Sequence, residues 1–508
     1  MEIKIPEKIK EILEKLESSG FEAYIVGGSV RDLLMEREVK DWDITTNTKP
    51  EEILKIFSTF ANATADKPAT FYENDFGTVG VKTGDEKFPI VEITTYRIES
   101  KYSDKRHPDK IKFAETLAED LSRRDFTINA LALKLNQSSA FPLQSKDCNS
   151  SKPSFIGFEI IDLFEGKKDL KNKIIRAVGN ADERFDEDAL RMMRAVRFAV
   201  QLDFSIEEKT LKALKKNCKN LKYISQERIK DELTKIILSN DPSKGIDLLH
   251  ENGLLDFIIP ELEKGVGIAQ NRHHIYTIYK HCLLSLKFCP SKKLEVRLAA
   301  LLHDIAKPQT KRGEGEFATF YNHDHVGARV AEKILKRLRY SNETIDKVKL
   351  LVDNHMFYYN PDEVTESSVR KLIRKVCLEN MQDLIDLRVA DRLGSGTPKA
   401  KPYKLRHLEY IIDKVSADAI SVKMLKINGN DLMKDLKITP GPQIGAILDV
   451  LLAEVIEDPE KNEKENLLNR SKELKKIDLD KLRKMAKIKI EEKKEEEDKE
   501  IKNKHWVK

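Results

Sequence analysis

The first hundred residues alternate between helix-like and strand-like spacing of apolar positions. Residues 6–18 place their apolar side chains on one face of a helix, and short runs rich in β-branched and aromatic residues follow. The predicted strands are Tyr24–Val26, Asp41–Ile44, Val79–Lys82 and Ile90–Thr95, and the predicted intervening helices are 29–36 and Lys49–Phe60. This alternation predicts a domain in which helices surround a small mixed sheet.

After residue 157 the apolar spacing is almost entirely helical. The predicted helices are Glu187–Val200, Ile206–Lys216, Ser225–Leu238 and Pro242–Asn252, followed by helical regions over 272–395 and 401–475. The fold class is therefore predicted to be α+β, with an N-terminal domain on a sheet and an all-α remainder. Residues 136–157, rich in Ser, Asn, Lys and Pro, predict a surface loop or insertion. The mixed-charge run from Asp478 predicts a solvated helix or a frayed tail.

Composition excludes several classes of protein. The 508 residues suffice for three or four domains of about 150 residues each. A net charge of +5, from 91 basic and 86 acidic residues, does not by itself indicate a nucleic-acid partner. No apolar run approaches about 18 residues, and the N-terminus lacks the apolar core of a signal peptide, so we expect a cytoplasmic protein without a membrane partner. Five scattered cysteines without a C-x-x-C pair argue against a disulfide framework or a cysteine zinc site.

The densest chemical signal lies in residues 25–44, I-V-G-G-S-V-R-D-L-L-M-E-R-E-V-K-D-W-D-I. A glycine pair between a strand and a helix lets backbone N–H groups approach a phosphate closely. On a strand, Asp41 and Asp43 would share one face while Trp42 points into the core. Adjacent carboxylates repel unless cations bridge them, and hard oxygen ligands suit Mg²⁺. Alone, D-x-D is more often a polar edge strand; with the glycine pair before it, a two-metal site for a triphosphate is favoured.

These motifs resemble the head domain of class II tRNA nucleotidyltransferases, which include CCA-adding enzymes, and of bacterial poly(A) polymerases. The resemblance rests on G-G-x-V-R-D, D-x-D, E-I-T-T-Y-R at 92–97, R-R-D-F-T-I-N-A-L at 123–131 and E-D-x-x-R at 187–191. The motifs occur in the family's order over about residues 22–260. The resemblance implies untemplated nucleotidyl transfer, with Mg²⁺ as cofactor at the head site and with tRNA, CTP and ATP as partners.

The resemblance also implies a role for each matching residue. Asp41 and Asp43 would be catalytic and would bind the metal ions, and Glu92 stands where the superfamily often places a third strand carboxylate. The residues implied in nucleotide binding are Gly27, Gly28, Arg31, Asp32, Arg123, Arg124, Asp125, Asp188, Arg191, Arg194 and Arg197. Arg124 is equally explained as a structural ion-pair partner.

The stripe of Asp188, Arg191 and Arg194 allows two interpretations. With i, i+3, i+6 spacing on one helix, it can be an ordinary polar face whose ion pair contributes about 0.2–0.5 kcal/mol. As an acceptor beside a donor, Asp188 and Arg191 would instead match cytosine, which offers N4–H₂ beside N3, and adenine, which offers N6–H₂ beside N1. Uracil and guanine present the opposite order. The resemblance implies this second role, because E-D-x-x-R acts as a protein template in the family.

Two segments bear on the product of the reaction. The resemblance places a flexible loop at residues 98–109, a loop that the family associates with addition of the final A and that CC-adding relatives lack. Its presence favours full CCA addition or addition of A alone. Residues 136–157 depart from the compact family pattern, and we assign them no role.

A second candidate site lies in the helical region, where ionisable residues recur at long spacing: His281, His303, Asp304, His323, His355 and Asp391. A single histidine is more often structural than a ligand. His303 and Asp304, however, lie in the apolar segment L-A-A-L-L-H-D-I-A-K-P. Burial of this ionisable pair without partners would be costly, and a metal ion would satisfy it. The set resembles the HD phosphohydrolase domain in its variant with extra histidines. This implies a divalent transition metal or Mg²⁺, and a phosphatase or cyclic phosphodiesterase activity.

The resemblance therefore implies CCA addition to tRNA, with an appended HD metal domain. Three alternatives stay open: a poly(A) polymerase or A-adding enzyme, a metal-dependent phosphohydrolase whose head only binds nucleotide, and a non-catalytic RNA-binding protein, which the intact D-x-D disfavours. The oligomeric state is not predicted. The predicted domains are a head (1–135), an insertion (136–157), the end of the head with a helical neck (158–262), an HD domain (263–398), an RNA-binding body and tail (399–475) and a charged terminus (476–508).

Overall fold

The computed structural model describes residues 4–58, 70–74, 77–99, 111–137, 155–271, 275–417 and 425–507. The chain divides into two compact units, residues 1–352 and 353–508, and the boundary falls inside the region predicted as an HD domain. All strands among the described residues belong to the first unit, and the rest is mainly helical, which confirms the α+β class. None of the described helices is long and apolar enough to cross a bilayer. The four described cysteines form no disulfide with one another.

The first unit is built on a mixed sheet, as its sequence predicted, and this sheet has seven strands where the sequence predicted four. The strands are β1 (Ala23–Val26), β2 (Asp43–Thr46), β3 (Thr70–Asn74), β4 (Thr78–Lys82), β5 (Ile90–Thr95), β8 (Leu131–Gln137) and β9 (Phe155–Asp162). Their spatial order is β3-β4-β5-β2-β1-β8-β9, and only β2 and β5 pair in parallel. Two small ladders accompany the sheet: β6 (Arg97–Glu99) with β7 (Ile111–Phe113), and β10 (Ile174–Ile175) with β11 (Ser205–Ile206).

Apolar side chains cover both faces of this sheet. The helices around it are α1 (Glu7–Ser18), α2 (Gly28–Leu34), α3 (Pro50–Ile56), α4 (Leu117–Ser122) and α5 (Gly166–Asn172). The apolar face of α1 packs with Ile25 on one side of the sheet, whereas Tyr24 and Val26 join a second cluster around Tyr96. The alternation along β1 follows from the two-residue period of a strand. Apolar clusters therefore pack against both faces of the sheet.

The remainder of the first unit is helical. Its helices are α6 (Ala181–Glu187), α7 (Leu190–Leu202), α8 (Glu208–Asn217), α9 (Gln226–Ile237), α10 (Pro242–Glu251), α11 (Leu255–Ile258), α12 (Pro260–Glu263), α13 (Ile278–Lys287), α14 (Leu294–Leu302), α15 (Lys307–Thr310), α16 (His323–Arg337) and α17 (Asn342–Asn354), which reaches the boundary. Helix α7 is buried along almost its whole circumference, including the arginines Arg191 and Arg197. Buried arginines need acidic partners, so α7 is central to the site described below.

The described residues of the second unit form helices and no strands. They are α18 (Glu366–Val376), α19 (Leu378–Gly394), α20 (Tyr403–Ala417), α21 (Gly429–Leu436), α22 (Pro442–Glu457), α23 (Lys464–Leu474) and α24 (Leu479–His505). Apolar residues of α21 to α24 form one core around Leu451 and Leu474. The charged run after Asp478 is a single helix rather than a frayed tail, and Lys504 Nζ binds Asp413 Oδ2 on α20 at 2.6 Å.

Two of the predicted boundaries outside the site differ from the structure. The helix predicted over Lys49–Phe60 ends at Ile56, and residues 59–69 lie outside the described part of the chain. The insertion predicted over 136–157 is shorter, because Asn136 and Gln137 continue the ladder of β8 with β9 despite their polar side chains. Cross-strand pairing overrides local composition here. Residues 138–154, and residues 100–109 of the predicted flexible loop, are not among those described.

Candidate functional site

Gly27 and Gly28 form the turn from β1 into α2. Gly27 has a φ of +72°, and a Cβ atom there would lie 2.9 Å from Arg124 Nη1 and 3.7 Å from Asp43 Oδ2. Side chains rarely adopt this conformation, and the space for one is already taken by the guanidinium group. Gly27 is therefore required both by its backbone conformation and by the close approach of these two charged groups.

The hydroxyl of Ser29 holds the segment from Asp41 to Asp43 in place. Ser29 Oγ donates to the Asp41 carbonyl at 2.9 Å and accepts from the Asp43 N–H at 3.1 Å. Strand β2 begins only at Asp43, so the strand predicted from Asp41 starts two residues too early. Trp42 is buried, as predicted, and Asp41 is exposed. A serine anchored on α2, rather than the period of a strand, therefore places the two carboxylates.

Asp43 is the central carboxylate of this site. Burial and the nearby negative charge of Asp41 raise the pKa of Asp43. The positive charges of Arg124 and Arg31 lower it, but the net shift is upward. Glu92 of β5 lies directly opposite Asp43 in the parallel β2–β5 pair, so both side chains share one face of the sheet. Asp41, Asp43 and Glu92 thus bring carboxylate oxygens to one region, and such hard donors fit Mg²⁺.

Asp120, a buried carboxylate that the sequence analysis missed, holds both arginines of the R-R-D motif. Arg123 Nη2 donates to Asp120 Oδ1 at 2.7 Å, and Arg124 Nη2 donates to Oδ2 at 3.2 Å. Burial opposes ionisation of Asp120, but the two guanidinium groups hold its pKa below its usual value. Arg124 is thus an ion-pair partner that also borders Gly27. The i+3 and i+4 spacing from Asp120 to the arginines is the signal that could have identified it.

A series of hydrogen bonds connects α2 to α7. Arg31 Nη1 donates to Asn129 Oδ1 at 2.8 Å, and Asn129 Nδ2 donates to Asp125 Oδ1 at 3.2 Å. Arg194 Nε donates to the second oxygen of Asp125 at 2.7 Å. Burial opposes ionisation of Asp125, yet Arg194 lowers its pKa to about 2. Asp32 accepts two further bonds from Arg31, both at 2.9 Å, so four predicted nucleotide-binding residues lie in one network.

The ring of Phe198 on α7 is surrounded by guanidinium groups. The Cζ atoms of Arg31, Arg194 and Arg197 lie 5.3, 5.4 and 4.2 Å from its centroid. Attraction between a cation and an aromatic face partly offsets the repulsion among these three like charges. Phe198 therefore helps to keep positive charge concentrated beside the site, a role with no signature in the sequence.

The helix predicted over Glu187–Val200 is interrupted at Asp188. Asp188 has extended dihedral angles, φ −136° and ψ 103°, and its Oδ1 accepts the N–H of Leu190 at 3.0 Å. A side chain that bonds this N–H satisfies a donor that the first turn of a helix leaves open, so α6 ends and α7 starts here. The continuous i, i+3, i+6 stripe is therefore absent, because Asp188 lies outside α7.

Asp188 and Arg191 are each attached to a different element. Arg228 Nη2 of α9 donates to Asp188 Oδ2 at 2.7 Å. Arg191 donates to Glu187 Oε2 at 2.6 Å and to the carbonyl of Arg123 at 3.1 Å. Arg191 is thus fixed against the R-R-D motif, and Asp188 is oriented by an arginine forty positions further along the chain.

Arg197 forms a buried ion pair with Glu232 of α9. The two side chains are 8% and 5% exposed, and Nη1 lies 2.8 Å from Oε1. Burial, and then the charge of Arg194, lower the pKa of Arg197 to about 10, against the opposing effect of Glu232. This arginine, which the sequence analysis assigned to nucleotide binding, joins α7 to α9.

Four of the predicted HD residues come together in the first unit: His281, His303, Asp304 and His323, all buried. His281 Nε2 lies 3.0 Å from His303 Nε2 and 3.1 Å from Asp304 Oδ2. His323 Nε2 lies 3.3 Å from Asp304 Oδ1. Helix α14 ends at Leu302, so the His–Asp pair follows this apolar helix instead of lying within it.

Lys307, which the sequence analysis did not select, completes this cluster. Its Nζ lies 2.6 Å from Asp304 Oδ2 and donates to Gln270 Oε1 at 2.7 Å. Burial opposes ionisation of Asp304, but His303 and Lys307 hold the pKa of this carboxyl well below its usual range. The two remaining HD residues belong to the second unit, where His355 is buried and Asp391 accepts from Arg388 Nη1 at 3.0 Å.

Three family descriptions match successive parts of the chain. Residues 23–176 match the poly A polymerase head domain, and residues 203–265 match a probable RNA- and SrmB-binding site of polymerase A. Residues 316–470 match a putative domain 2 of tRNA nucleotidyltransferase. The first match contains the glycine turn, the aspartates and the R-R-D network.

Whole-length relatives extend this similarity over most of the chain. The CCA-adding enzyme of Ligilactobacillus salivarius is 35% identical over 475 residues, covering 92% of this chain and 98% of that protein. The enzyme of Lactococcus lactis subsp. lactis is 34% identical over 464 residues, covering 91% and 96%. The crystal structure of the Bacillus stearothermophilus CCA-adding enzyme in complex with CTP has a TM-score of 0.56 and 26% identity, covering 93% of this chain and 100% of that one. The chain belongs to the family of CCA-adding enzymes.

Proposed function

We propose that this protein adds C, C and A to the 3′ end of tRNA from CTP and ATP, without a nucleic-acid template. The observation that carries the proposal is the position of Asp43, a partly buried carboxylate with a raised pKa, beside Asp41, Glu92 and the glycine turn. A buried carboxylate with acidic neighbours is costly unless cations share the site. The relatives named above are CCA-adding enzymes, and the Bacillus stearothermophilus structure contains CTP.

The residues of the site have different roles in the proposed nucleotidyl transfer. Asp41 and Asp43 would hold Mg²⁺, which when bound supplies positive charge to the transferring phosphoryl group and lowers the pKa of the attacking hydroxyl. Arg124, directed at Gly27 and held by Asp120, offers positive charge to the triphosphate at the glycine turn. The Arg31–Asp125–Arg194 network keeps its guanidinium groups in place before substrate arrives, so little reorganisation is needed during transfer.

The test supplies tRNA lacking CCA with each nucleotide separately and then with CTP and ATP together. We expect two C additions from CTP alone and a terminal A only after both, read by sequencing the products. A product that grows with ATP alone, beyond one residue, identifies a poly(A) polymerase. A single A on tRNA ending in CC, without C addition, identifies an A-adding enzyme.

Asp188 and Arg191 are proposed to select the base. Asp188→Asn retains an oxygen that can cap α7, as asparagine does well, but replaces one acceptor by a donor. A mismatched buried contact costs about 1–3 kcal/mol, so the preference for CTP and ATP over UTP and GTP should fall roughly 5- to 150-fold. Arg191→Ala should act in the same direction. Relative incorporation of the four nucleotides measures the effect; unchanged selectivity in folded Asp188→Asn would leave Asp188 as a cap alone.

We propose a second, metal-dependent phosphohydrolase activity at the His–Asp cluster. His323 Nδ1 lies 2.7 Å from the carbonyl of Phe320, so Nδ1 carries a proton and Nε2 is the ring atom that would bind a metal ion. Nε2 faces Asp304 Oδ1 at 3.3 Å, and one cation between them would contact both atoms. A shared metal ion fits this arrangement, since ligating histidines commonly donate their other nitrogen to a carbonyl.

The double variant His303→Ala, Asp304→Ala should lose bound metal and hydrolysis of cyclic phosphodiesters, while nucleotide addition persists. The reason is that the two clusters use different ligands in distant parts of the sequence. Metal content by mass spectrometry is the readout that does not depend on activity, and His250→Ala, a histidine paired with Glu263 outside the cluster, is the control. Unchanged metal content, or loss of nucleotide addition in the folded double variant, would contradict the two-site proposal.

A further inference from the structure

The second unit contains a pocket of about 210 Å³ between the segment after α17 and helices α19 and α20. Its walls combine aromatic rings with cationic side chains: Phe357, Tyr358, Tyr359, Arg388, Arg392, Pro402, Lys404 and Leu405. The volume lies below the roughly 300–1,000 Å³ of sites for drug-sized ligands, so the pocket suits a single ring system. None of these residues belongs to the nucleotide or His–Asp clusters described above.

The aromatic side of the pocket is fixed in place. Tyr359 Oη and His407 Nδ1 are 2.6 Å apart, and burial raises the pKa of Tyr359 to about 12, so its hydroxyl stays neutral. Phe357 lies under the guanidinium of Arg388, whose Cζ is 5.7 Å from the ring centroid. Tyr358 is 68% exposed, which leaves most of its ring uncovered. The pocket therefore offers ring faces that need no rearrangement before a planar ligand stacks on them.

The cationic side contains one group without a protein partner. Arg388 is paired with Asp391, but within the described residues the Arg392 guanidinium makes no hydrogen bond or ion pair, and its Nε is closed off from solvent. A shielded, unsatisfied donor in a pocket wall is costly, and an anionic ligand would satisfy it. Lys404 lines the same pocket and adds a second positive charge.

We infer that this pocket binds one nucleotide unit, with its base against the aromatic rings and its phosphate at Arg392 and Lys404. Aromatic faces that alternate with arginine are how proteins hold unstacked bases, and the cations meet the backbone charge. An unpaired nucleotide of tRNA and a free nucleotide share this chemistry. The inference that the nucleotide belongs to tRNA rests on the proposed function. The inference that the pocket binds a nucleotide does not.

The test compares variants of the full chain in direct binding, without nucleotide addition. Arg392→Gln and Tyr358→Leu should each weaken binding of tRNA lacking CCA by about 5-fold or more, the loss expected for one stacked base. Matched controls are Arg374→Gln, an exposed arginine of α18, and Trp506→Leu, an aromatic residue 80% exposed at the end of α24; both should bind normally. Fluorescence anisotropy gives the affinity, and circular dichroism confirms that each variant is folded.

A second arm measures CMP and AMP by calorimetry. If Arg392→Gln and Tyr358→Leu bind tRNA more weakly but bind CMP and AMP normally, the ligand is an unpaired tRNA nucleotide. If they bind CMP or AMP more weakly but bind tRNA normally, the ligand is a free nucleotide. Unchanged affinity in both arms for folded Arg392→Gln and Tyr358→Leu would overturn the inference. A wild-type protein that binds tRNA but adds no nucleotide would instead contradict the proposed function and leave this comparison valid.

Discussion

Replacing Asp43 by asparagine is expected to slow nucleotide addition roughly 10³-fold or more while the protein stays folded. The amide matches the carboxylate in size but cannot supply the negative charge that holds Mg²⁺. Because burial and Asp41 already raise the pKa of Asp43, removing this charge should cost the fold little. The rate of CTP incorporation at saturating Mg²⁺ measures the first effect, and the thermal unfolding temperature measures the second.

The matched control is Glu86→Gln, the same change at an exposed carboxylate between β4 and β5. It should add CCA at the wild-type rate, because no residue of the site lies at that turn. Near-normal turnover of Asp43→Asn with Mg²⁺ present would contradict the assignment of the transfer site to the start of β2.

Glu232→Leu is expected to lower the free energy of unfolding by about 3–5 kcal/mol, since it leaves the charge of Arg197 buried without a partner. The lowered pKa of Arg197, about 10, is not low enough to neutralise this residue at pH 7. Urea unfolding followed by circular dichroism measures the loss. Glu11→Leu, which removes the half-exposed pair of Glu11 with Lys8, is the control and should cost about 0–1 kcal/mol.

The double variant Arg197→Met, Glu232→Leu separates the ion pair from simple loss of packing. Because apolar residues of similar volume commonly replace a buried pair without penalty, the double variant should regain most of the stability that Glu232→Leu loses. A double variant as unstable as the single one would show that packing of Glu232, rather than the unpaired charge of Arg197, is what matters.

Much of the fold and part of the site follow from local pattern. Predicted helices over 6–18 and 242–252 and predicted strands over 79–82 and 90–95 appear almost unchanged, because an amphipathic period or an apolar run is a property of a few neighbouring residues. The glycine turn and the His303–Asp304 pair were also found by spacing. In each case the chemistry depends on residues close together in sequence.

Other residues of the site depend on tertiary contacts. Asp120 has the local spacing of an ion-pair partner for Arg123 and Arg124, but only the fold buries its carboxylate, and Phe198 is an ordinary apolar residue until three guanidinium groups surround it. Lys307 lies three residues after its partner Asp304, but only the packing of α13 to α16 brings His281 and His323 to the same carboxylate. The contribution of such side chains to the site depends on their burial and on distant partners, and local spacing does not predict either.

Local sequence pattern was sufficient to predict the fold class, the glycine turn, the pair of aspartates and the set of histidines. Other features appear only in the tertiary structure: Ser29 rather than a strand positions Asp41, and Asp188 caps α7 and pairs with Arg228. The ion pair of Arg197 with Glu232, which joins α7 to α9, is likewise visible only in the folded protein. The physical reason is that a charged side chain leaves water only where a distant partner meets it, and folding alone supplies that partner.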